Sequence, residues 1–211
     1  MYLPQAFREE RLPVLHDAIR RIVFATLVTA QGDEPEATLL PLLFDDQHGE
    51  KGRLLGHVAR ANGHWKTIGE GRPALVLFQG EQAYVSPTWY PSKQQHGRVV
   101  PTWNYVVVEV RGTVRAFDDP SRLRALVGAL TNHQESGRES AWKVDDAPAD
   151  FVAAQLRGIV GIEVTIGEIS GKWKMSQNRQ AADRIGVAAG LAGEAAPAAR
   201  AVAAVMSALD D

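Results

Sequence analysis

The chain has 211 residues, of which 45% are hydrophobic and 23% are charged, and its formal net charge is −2. This length suits one domain, or one domain with a helical appendage. Because cysteine is absent, disulfide scaffolds, thiolate metal sites and thiol nucleophiles are excluded, and any redox chemistry needs a cofactor. The near-neutral charge gives no overall attraction to nucleic acid. No apolar run approaches the roughly 20 residues that cross a bilayer, and the N-terminus lacks a secretory pattern, so we expect a cytoplasmic protein without membrane contact.

Hydrophobic periodicity predicts a chain that is mostly strand. Alternating or β-branched apolar runs predict strands over 23–30, 37–44, 52–59, 74–79, 83–86, 105–117 and 159–169. Apolar stripes at helical spacing predict helices over 13–21, 121–134, 150–156, 178–191 and 196–209. We interpret Gly80 and Glu81 as a tight turn between two of the strands. Six or more antiparallel strands with few helices between them favour a closed or half-closed β-barrel over a parallel sheet.

A short helix is predicted over 60–69, directly after a strand. Asn62 is its expected cap and Gly69 its expected end. Arg60 lies where the strand passes into this helix, and Lys66 lies one turn along it. Positive side chains beside the amides of a helix start indicate an anion site, such as one for a phosphate. The alternative is that Arg60 is a solvated arginine at a strand end.

Residues 84–105, YVSPTWYPSKQQHGRVVPTWNY, combine aromatic rings with polar side chains. Prolines at 87, 91 and 101 exclude a helix interior, so we interpret 93–98 as a loop between extended pieces. Flat rings beside hydrogen-bond donors suit a planar ligand with polar edges. The rings are Trp89, Tyr90, Trp103 and Tyr105, and the donors are Ser86, Thr88, Ser92, Lys93 and Asn104. For any one ring, a half-buried structural role is the alternative.

A second polar group, GKWKMSQNR at 171–179, follows the last predicted strand. It supplies three cations, Lys172, Lys174 and Arg179, and three hydrogen-bonding side chains, Ser176, Gln177 and Asn178. Ligand-holding groups gather at strand ends, although a basic run of this kind is also typical of a solvated surface. Since the aromatic stretch has few cations of its own, we expect the two groups to act together on a phosphorylated ligand.

The C-terminal helices depart from the strand pattern. We therefore divide the chain into a barrel domain at 1–176 and a helical hairpin at 177–211, packed on the barrel or on a partner subunit. Ala182, Gly186 and Val187 match positions of a helix-turn-helix, but glycines and a proline fall where its recognition helix should run. A plain hairpin is the favoured interpretation, and DNA contact has weak support.

Five motifs occur in order over nearly the whole chain: MYLPQAF, GHVARANGHW, YVSPTWYPSK, VPTWNY and GKWKMSQNR. Together they resemble the PaiB family of FMN-binding negative transcriptional regulators. The resemblance implies a mainly β, α+β fold. It would be an antiparallel split β-barrel of the FMN-binding, pyridoxamine-phosphate oxidase-like type with a C-terminal helical appendage. It also implies a homodimer that holds FMN in clefts between its subunits.

The resemblance also implies which residues contact the flavin. In such barrels the phosphate is held after a strand that ends in a small-residue motif, and ARAN gives Arg60 and Asn62 that place. Gly63 stands where we expect proline, which loosens the turn without removing a ligand group. The residues implied near the ring are Trp89, Tyr90, Lys93, Trp103 and Asn104. Those implied near the ring edge or the ribityl chain are Lys174, Ser176, Gln177 and Arg179.

The implied function is that of a regulator, and neither a catalytic nor a metal-ligating residue is assigned. The first alternative is a flavin-dependent oxidoreductase with a nicotinamide donor, for which His57, His64 and His96 are candidate proton donors. The second is a haem-binding barrel. Phosphate-loop and dinucleotide-binding glycine motifs and paired-histidine metal spacings are missing from the sequence.

Overall fold

The computed structural model describes residues 1–209, which form eight strands and seven α-helices. The strands are β1 Arg8–Glu9, β2 Phe24–Gln31, β3 Glu34–Pro41, β4 Leu43–Asp45, β5 Arg53–Ala59, β6 Arg72–Val85, β7 Thr102–Phe117 and β8 Ile159–Lys174. The helices are α1 Leu12–Ile22, α2 His64–Ile68, α3 Ser92–His96, α4 Pro120–Glu135, α5 Ala149–Arg157, α6 Ala181–Ala192 and α7 Pro197–Ala208. None of the helices in this part of the chain has both the length and the apolar character that a membrane span requires.

The strands form one sheet in the order β3-β2-β6-β7-β8-β5-β4, and β1 pairs with β8. Pairing is antiparallel between β2 and β3, β2 and β6, β4 and β5, β5 and β8, and β1 and β8. The β2–β3 hairpin joins sequential strands, whereas β2 pairs with β6 and β5 pairs with β8 across long intervening segments. The predicted α+β class with an antiparallel sheet is therefore confirmed.

The residues group into two compact units. The first unit consists of 1–18, 79–108 and 170–211, and the second consists of 19–78 and 109–169. The C-terminal helices belong to the first unit together with the aromatic stretch. The division of the chain at residue 176 stays a prediction.

Within the first unit, α6 packs on the aromatic stretch through two glycines. A Cβ on Gly186 would lie 2.2 Å from the carbonyl oxygen of Trp89, and one on Gly190 would lie 2.4 Å from the Trp89 indole. Buried Asp183 accepts hydrogen bonds from the Ser92 backbone nitrogen at 3.1 Å and from its hydroxyl at 2.8 Å. The C-terminal hairpin therefore supports the aromatic stretch directly.

Within the second unit, strand alternation separates a core from an outer face. Leu27, Val76 and Phe78 are fully buried on the inner face of β2 and β6. On the outer face, Phe24 and Leu39 are 56% and 63% exposed. Their neighbours in register on this face are also uncharged: Thr26, Val28, Ala37, Pro41, Leu75 and Leu77. The outer face of β3, β2 and β6 is thus an apolar surface.

Three strand predictions are wrong. Residues 37–44 belong to two strands, β3 and β4, which Leu42 separates and which pair with different partners. Residues 74–79 and 83–86 are parts of one continuous strand, β6, so Gly80 and Glu81 form no turn. A single glycine permits a turn but does not impose one when both neighbouring segments can continue a sheet. The last strand, β8, runs on to Lys174 instead of ending at 169, and its residues Gly171, Lys172 and Trp173 are buried in succession.

The prediction of a loop over 93–98 is also wrong. Residues Ser92–His96 form the short helix α3, which ends at Gly97 with a left-handed φ of 63°. Pro91 is compatible with the start of this helix, because the first N–H groups of a helix have no acceptor within the helix and proline loses nothing by lacking one. The Asp183 carboxylate then satisfies the Ser92 amide, a long-range contact that local sequence does not reveal.

Candidate functional site

In the second unit, Arg60, which the sequence predicts to bind a phosphate, forms hydrogen bonds with the protein itself. The Arg60 guanidinium donates from Nε to the Arg157 carbonyl at 2.8 Å and from Nη2 to the Ile159 carbonyl at 3.0 Å. Its Nη1 lies 3.8 Å from the Asp118 carboxylate. Arg60 therefore satisfies the last carbonyl of α5 and the first carbonyl of β8, and the Asp118 carboxylate lies beside its remaining terminal nitrogen.

Asn62 shapes the turn before α2. Its Oδ1 accepts from the His64 backbone nitrogen at 3.0 Å, and its Nδ2 donates to the Thr38 hydroxyl at 3.3 Å. Gly63, not Asn62, occupies the capping position of α2, so the predicted cap is displaced by one residue. His64 is buried, and its two ring nitrogens each lie 2.8 Å from a threonine hydroxyl, those of Thr29 and Thr38.

In the first unit, three cations lie on or beside the end of β8. Lys172 is 9% exposed, and its ammonium lies 5.5 Å from the Tyr2 ring centre and 5.4 Å from that of Tyr105. The Lys174 ammonium donates to the Thr102 hydroxyl at 2.7 Å and to the Trp103 carbonyl. The Arg179 guanidinium lies 5.0 Å from the Tyr90 ring centre. Between residues 1 and 209, none of the three cations forms a salt bridge with a carboxylate.

This group of cations has a measurable electrostatic consequence. Burial, followed by the charges of Lys172 and Arg179, lowers the pKa of the Lys174 ammonium below its ordinary value of 10.5. A cluster of positive charges without a carboxylate repels itself, and an anion placed beside it relieves that repulsion. The first unit therefore has the electrostatics of an anion site.

The predicted ring contacts divide into exposed and buried residues. Trp103 is 53% exposed and meets Tyr84, 48% exposed, edge to face with ring centres 6.3 Å apart. Lys93 is exposed on α3. Tyr90 is 2% exposed, and burial raises the pKa of its phenol. Trp103 and Lys93 are thus accessible to a ligand, whereas Tyr90 lies beneath the surface.

Three other predicted contacts are occupied by local hydrogen bonds. Asn104 and Ser176 are buried and hydrogen-bond each other through Nδ2, Oδ1 and Oγ at 3.1 and 3.2 Å. Asn104 also reaches the Met206 sulfur of α7 at 3.5 Å. Gln177 accepts from the Met175 nitrogen at 2.7 Å and donates to the Trp173 carbonyl at 2.6 Å. These side chains hold together β7, α7 and the turn after β8.

The donor set of the first unit fits a flavin. The isoalloxazine ring is flat and has carbonyl and nitrogen acceptors at its edge, and the ribityl phosphate carries hydroxyls and negative charge. Lys174 and Arg179 offer donors for these acceptors, and Trp103 offers an accessible ring face. Tyr2 and Thr102 were absent from the predicted contacts, whereas Tyr105 was one of the predicted rings. Their signal was the alternation of β8, which places Lys172 and Lys174 on one face beside the neighbouring strand.

Solved structures show which class this fold defines. The FAD- and haem-binding protein of Mycobacterium smegmatis has a TM-score of 0.60 and 18% identity, over 84% of this chain and 78% of that one. A flavocytochrome of Azotobacter vinelandii has a TM-score of 0.53 and 12% identity, over 81% and 74% of the two chains. The fold is therefore that of the FMN-binding split-barrel class.

The sequence comparisons identify the family within this class. The family model described as "Putative FMN-binding domain" matches residues 1–168. The chain belongs to this FMN-binding family. The Protease synthase and sporulation protein PAI 2 of Bacillus subtilis is 31% identical over 98% of this chain and 96% of its own length. The resemblance stated from the five motifs is confirmed, and FMN is confirmed as the cofactor of the family to which the chain belongs.

Proposed function

We propose that this protein is a negative transcriptional regulator that binds FMN in a cleft between two copies of the chain. The observation that carries the proposal is the group of Lys172, Lys174 and Arg179, which form no salt bridge with a carboxylate in the described chain. Lys172 and Arg179 lie beside tyrosine rings, and Lys174 donates to the Thr102 hydroxyl. A buried or half-buried cation without a carboxylate is costly unless a ligand anion or an ordered network offsets its charge.

The proposed flavin contacts are the residues that the resemblance implied. Trp103 and Trp89 lie near the ring, with Lys93 beside them, and Lys174 and Arg179 donate to the ring edge or the ribityl chain. Arg60 is the proposed contact of the phosphate. Asn62, Tyr90, Asn104, Ser176 and Gln177 act mainly by holding these groups in place, because their own polar atoms are buried or already bonded.

The apolar outer face of β3, β2 and β6 supports the homodimer. Phe24 and Leu39 are large, exposed and surrounded by uncharged residues, and exposed apolar patches of this kind mark interaction sites. A second copy of the same face is self-complementary, because a two-fold axis brings identical patches together. Light scattering should give the mass of a dimer. Leu39→Lys should give a monomer, whereas Val100→Lys, at an exposed site in the first unit, should leave the dimer intact.

The regulatory role is proposed from the similarity to the Bacillus subtilis sporulation protein. Gel-shift titration with the native upstream DNA tests it directly, and a regulator that contacts DNA should give a salt-sensitive shift. Absence of a shift at micromolar protein would contradict direct repression.

Absorbance of the protein purified without added cofactor tests flavin binding. We expect bands near about 370 and 450 nm, as in flavoproteins, and their absence after reconstitution with FMN would contradict the proposal. Bleaching of these bands by NADPH under argon would favour the oxidoreductase alternative over the regulator.

A further inference from the structure

Three aromatic residues and the turn between α6 and α7 enclose a cavity in the first unit. Its volume is about 400 Å³, which lies in the range of small-ligand sites. Its lining includes the rings of Tyr84, Trp89 and Trp103 and the side chain of Glu194. The Tyr84 and Trp103 rings stand at 74° to each other. They therefore form a corner that presents aromatic surface in two directions.

The charge of this cavity is negative. Glu194 is its one ionisable acid, and its described lining contains no lysine, arginine or histidine. Glu194 forms no salt bridge within residues 1–209. The nearby Arg200 donates to the carbonyl oxygens of Glu194 and Ala195 at 3.0 and 2.8 Å. It is thus held by the turn and is not one of the lining residues.

The helix ends at the cavity do not reverse this charge. The carbonyl end of α6 and the amide end of α7 meet at the turn, and their partial charges have opposite signs. Pro197 has no N–H, and the amides of Ala199 and Arg200 both point to the Ala196 carbonyl. Among the residues that line the cavity, the Glu194 carboxylate is therefore the one full charge, and the negative faces of the rings add to it.

We infer that this cavity binds a small organic cation, of the amine or quaternary ammonium class. The face of an aromatic ring attracts a cation through its quadrupole, and tryptophan does so most strongly. Two or three rings around one carboxylate recognise an alkylammonium group by its shape and its charge together. An anion would meet the Glu194 carboxylate and the same ring faces with repulsion.

This inference deepens the proposed function, because the cavity shares Trp89 and Trp103 with the proposed flavin contacts. It assigns a cationic class to the molecule that the regulator binds beside its cofactor. The cation site can be tested without the flavin, since all of its lining residues belong to the protein.

Isothermal titration calorimetry with choline chloride tests the inference, with 3,3-dimethylbutan-1-ol as the neutral molecule of the same shape. We expect choline to bind at least about tenfold more tightly than the alcohol. Trp103→Leu should weaken choline by about five- to thirtyfold, and Trp103→Phe should restore part of the affinity, because it restores a ring. Glu194→Gln should weaken choline by roughly threefold.

Trp142→Leu is the matched control, since Trp142 is 48% exposed and lies in the second unit; it should leave binding unchanged. Equal affinity for choline and the alcohol would overturn the inference, and so would full affinity in Trp103→Leu. Binding of choline without any binding of FMN would refute the flavin proposal alone, whereas the reverse would refute only the cation site.

Discussion

The two predicted ligand-binding regions differ in what holds their cations. In the second unit, Arg60 is satisfied by two backbone carbonyls, and Asn62 is bound to the turn that it forms. In the first unit, Lys172, Lys174 and Arg179 lie beside rings and neutral oxygens, and the C-terminal helices support the segment that faces them. The polar side chains of the second unit thus have their partners within the protein, whereas the cations of the first unit keep a positive charge that no salt bridge offsets in the described chain.

This difference teaches that a motif can supply structural hydrogen bonds and ligand contacts in the same few residues. Within GKWKMSQNR, Ser176 and Gln177 form hydrogen bonds inside the protein. The positive charges of Lys174 and Arg179 are available to a ligand. Substitutions can test whether the C-terminal helical hairpin stabilises the aromatic stretch of the first unit.

The largest effect should come from filling the contact between α6 and Trp89. Gly186→Ala places a Cβ 2.2 Å from a backbone oxygen, so the helix or the aromatic stretch must move, at a cost of about 2–3 kcal/mol. Gly128→Ala in α4 is the control. No atom lies within 4 Å of its Cβ position, and the change should stabilise by up to about 1 kcal/mol.

Chemical denaturation of both variants measures the difference, and a shift in tryptophan emission should accompany Gly186→Ala alone. Equal stability of the two variants would show that the hairpin does not support the aromatic stretch.

The next effect compares the two asparagines. Asn104→Ala should cost about 2 kcal/mol, because it leaves the buried Ser176 hydroxyl without its partner and removes the contact to α7. Asn62→Ala should cost about 1 kcal/mol, as expected for a turn-forming side chain that is half-buried. Urea titration gives both values. A larger loss of stability for Asn62→Ala than for Asn104→Ala would contradict the expected order of the two regions.

The pH dependence of stability provides a smaller effect, confined to the second unit. Burial lowers the pKa of His64 below its ordinary value of 6.5, and the same cause acts on His57. Because the unfolded chain takes up these protons first, stability is complete above about pH 6.5 and is lost as the pH falls from there towards the folded pKa. Thermal melts between pH 7.5 and about 5 should show this decline. His64→Gln should flatten it, and His96→Gln, on the exposed part of α3, should not.

Much of the fold could be predicted because local periodicity and tertiary packing agree. The alternation of 105–117 and the apolar stripe of 121–134 reappear as β7 and α4. Gly80 and Glu81 were misread because a turn signal can be overridden by strand pairing. The support of Ser92 by Asp183 could not be predicted, since the two residues meet only through the packing of a distant helix.

For the site, the sequence revealed residue types but not their hydrogen-bond partners. The cations at 172, 174 and 179 were visible as a basic run. The lack of a salt bridge to these cations in the described chain, and the hydrogen bond from Arg60 to the end of α5, depend on three-dimensional contacts. Exposure separates Trp103 from Tyr90, and no local pattern distinguishes these two rings.

The most direct test of the account is titration of the flavin-free protein with FMN, followed by the quenching of flavin fluorescence. Lys174→Met should weaken binding by about tenfold or more, because a hydrogen bond from a charged donor is lost. Lys143→Met, at an exposed site in the second unit, should bind FMN as the unaltered protein does. Unchanged affinity in Lys174→Met would contradict the claim that the cations of the first unit hold the flavin.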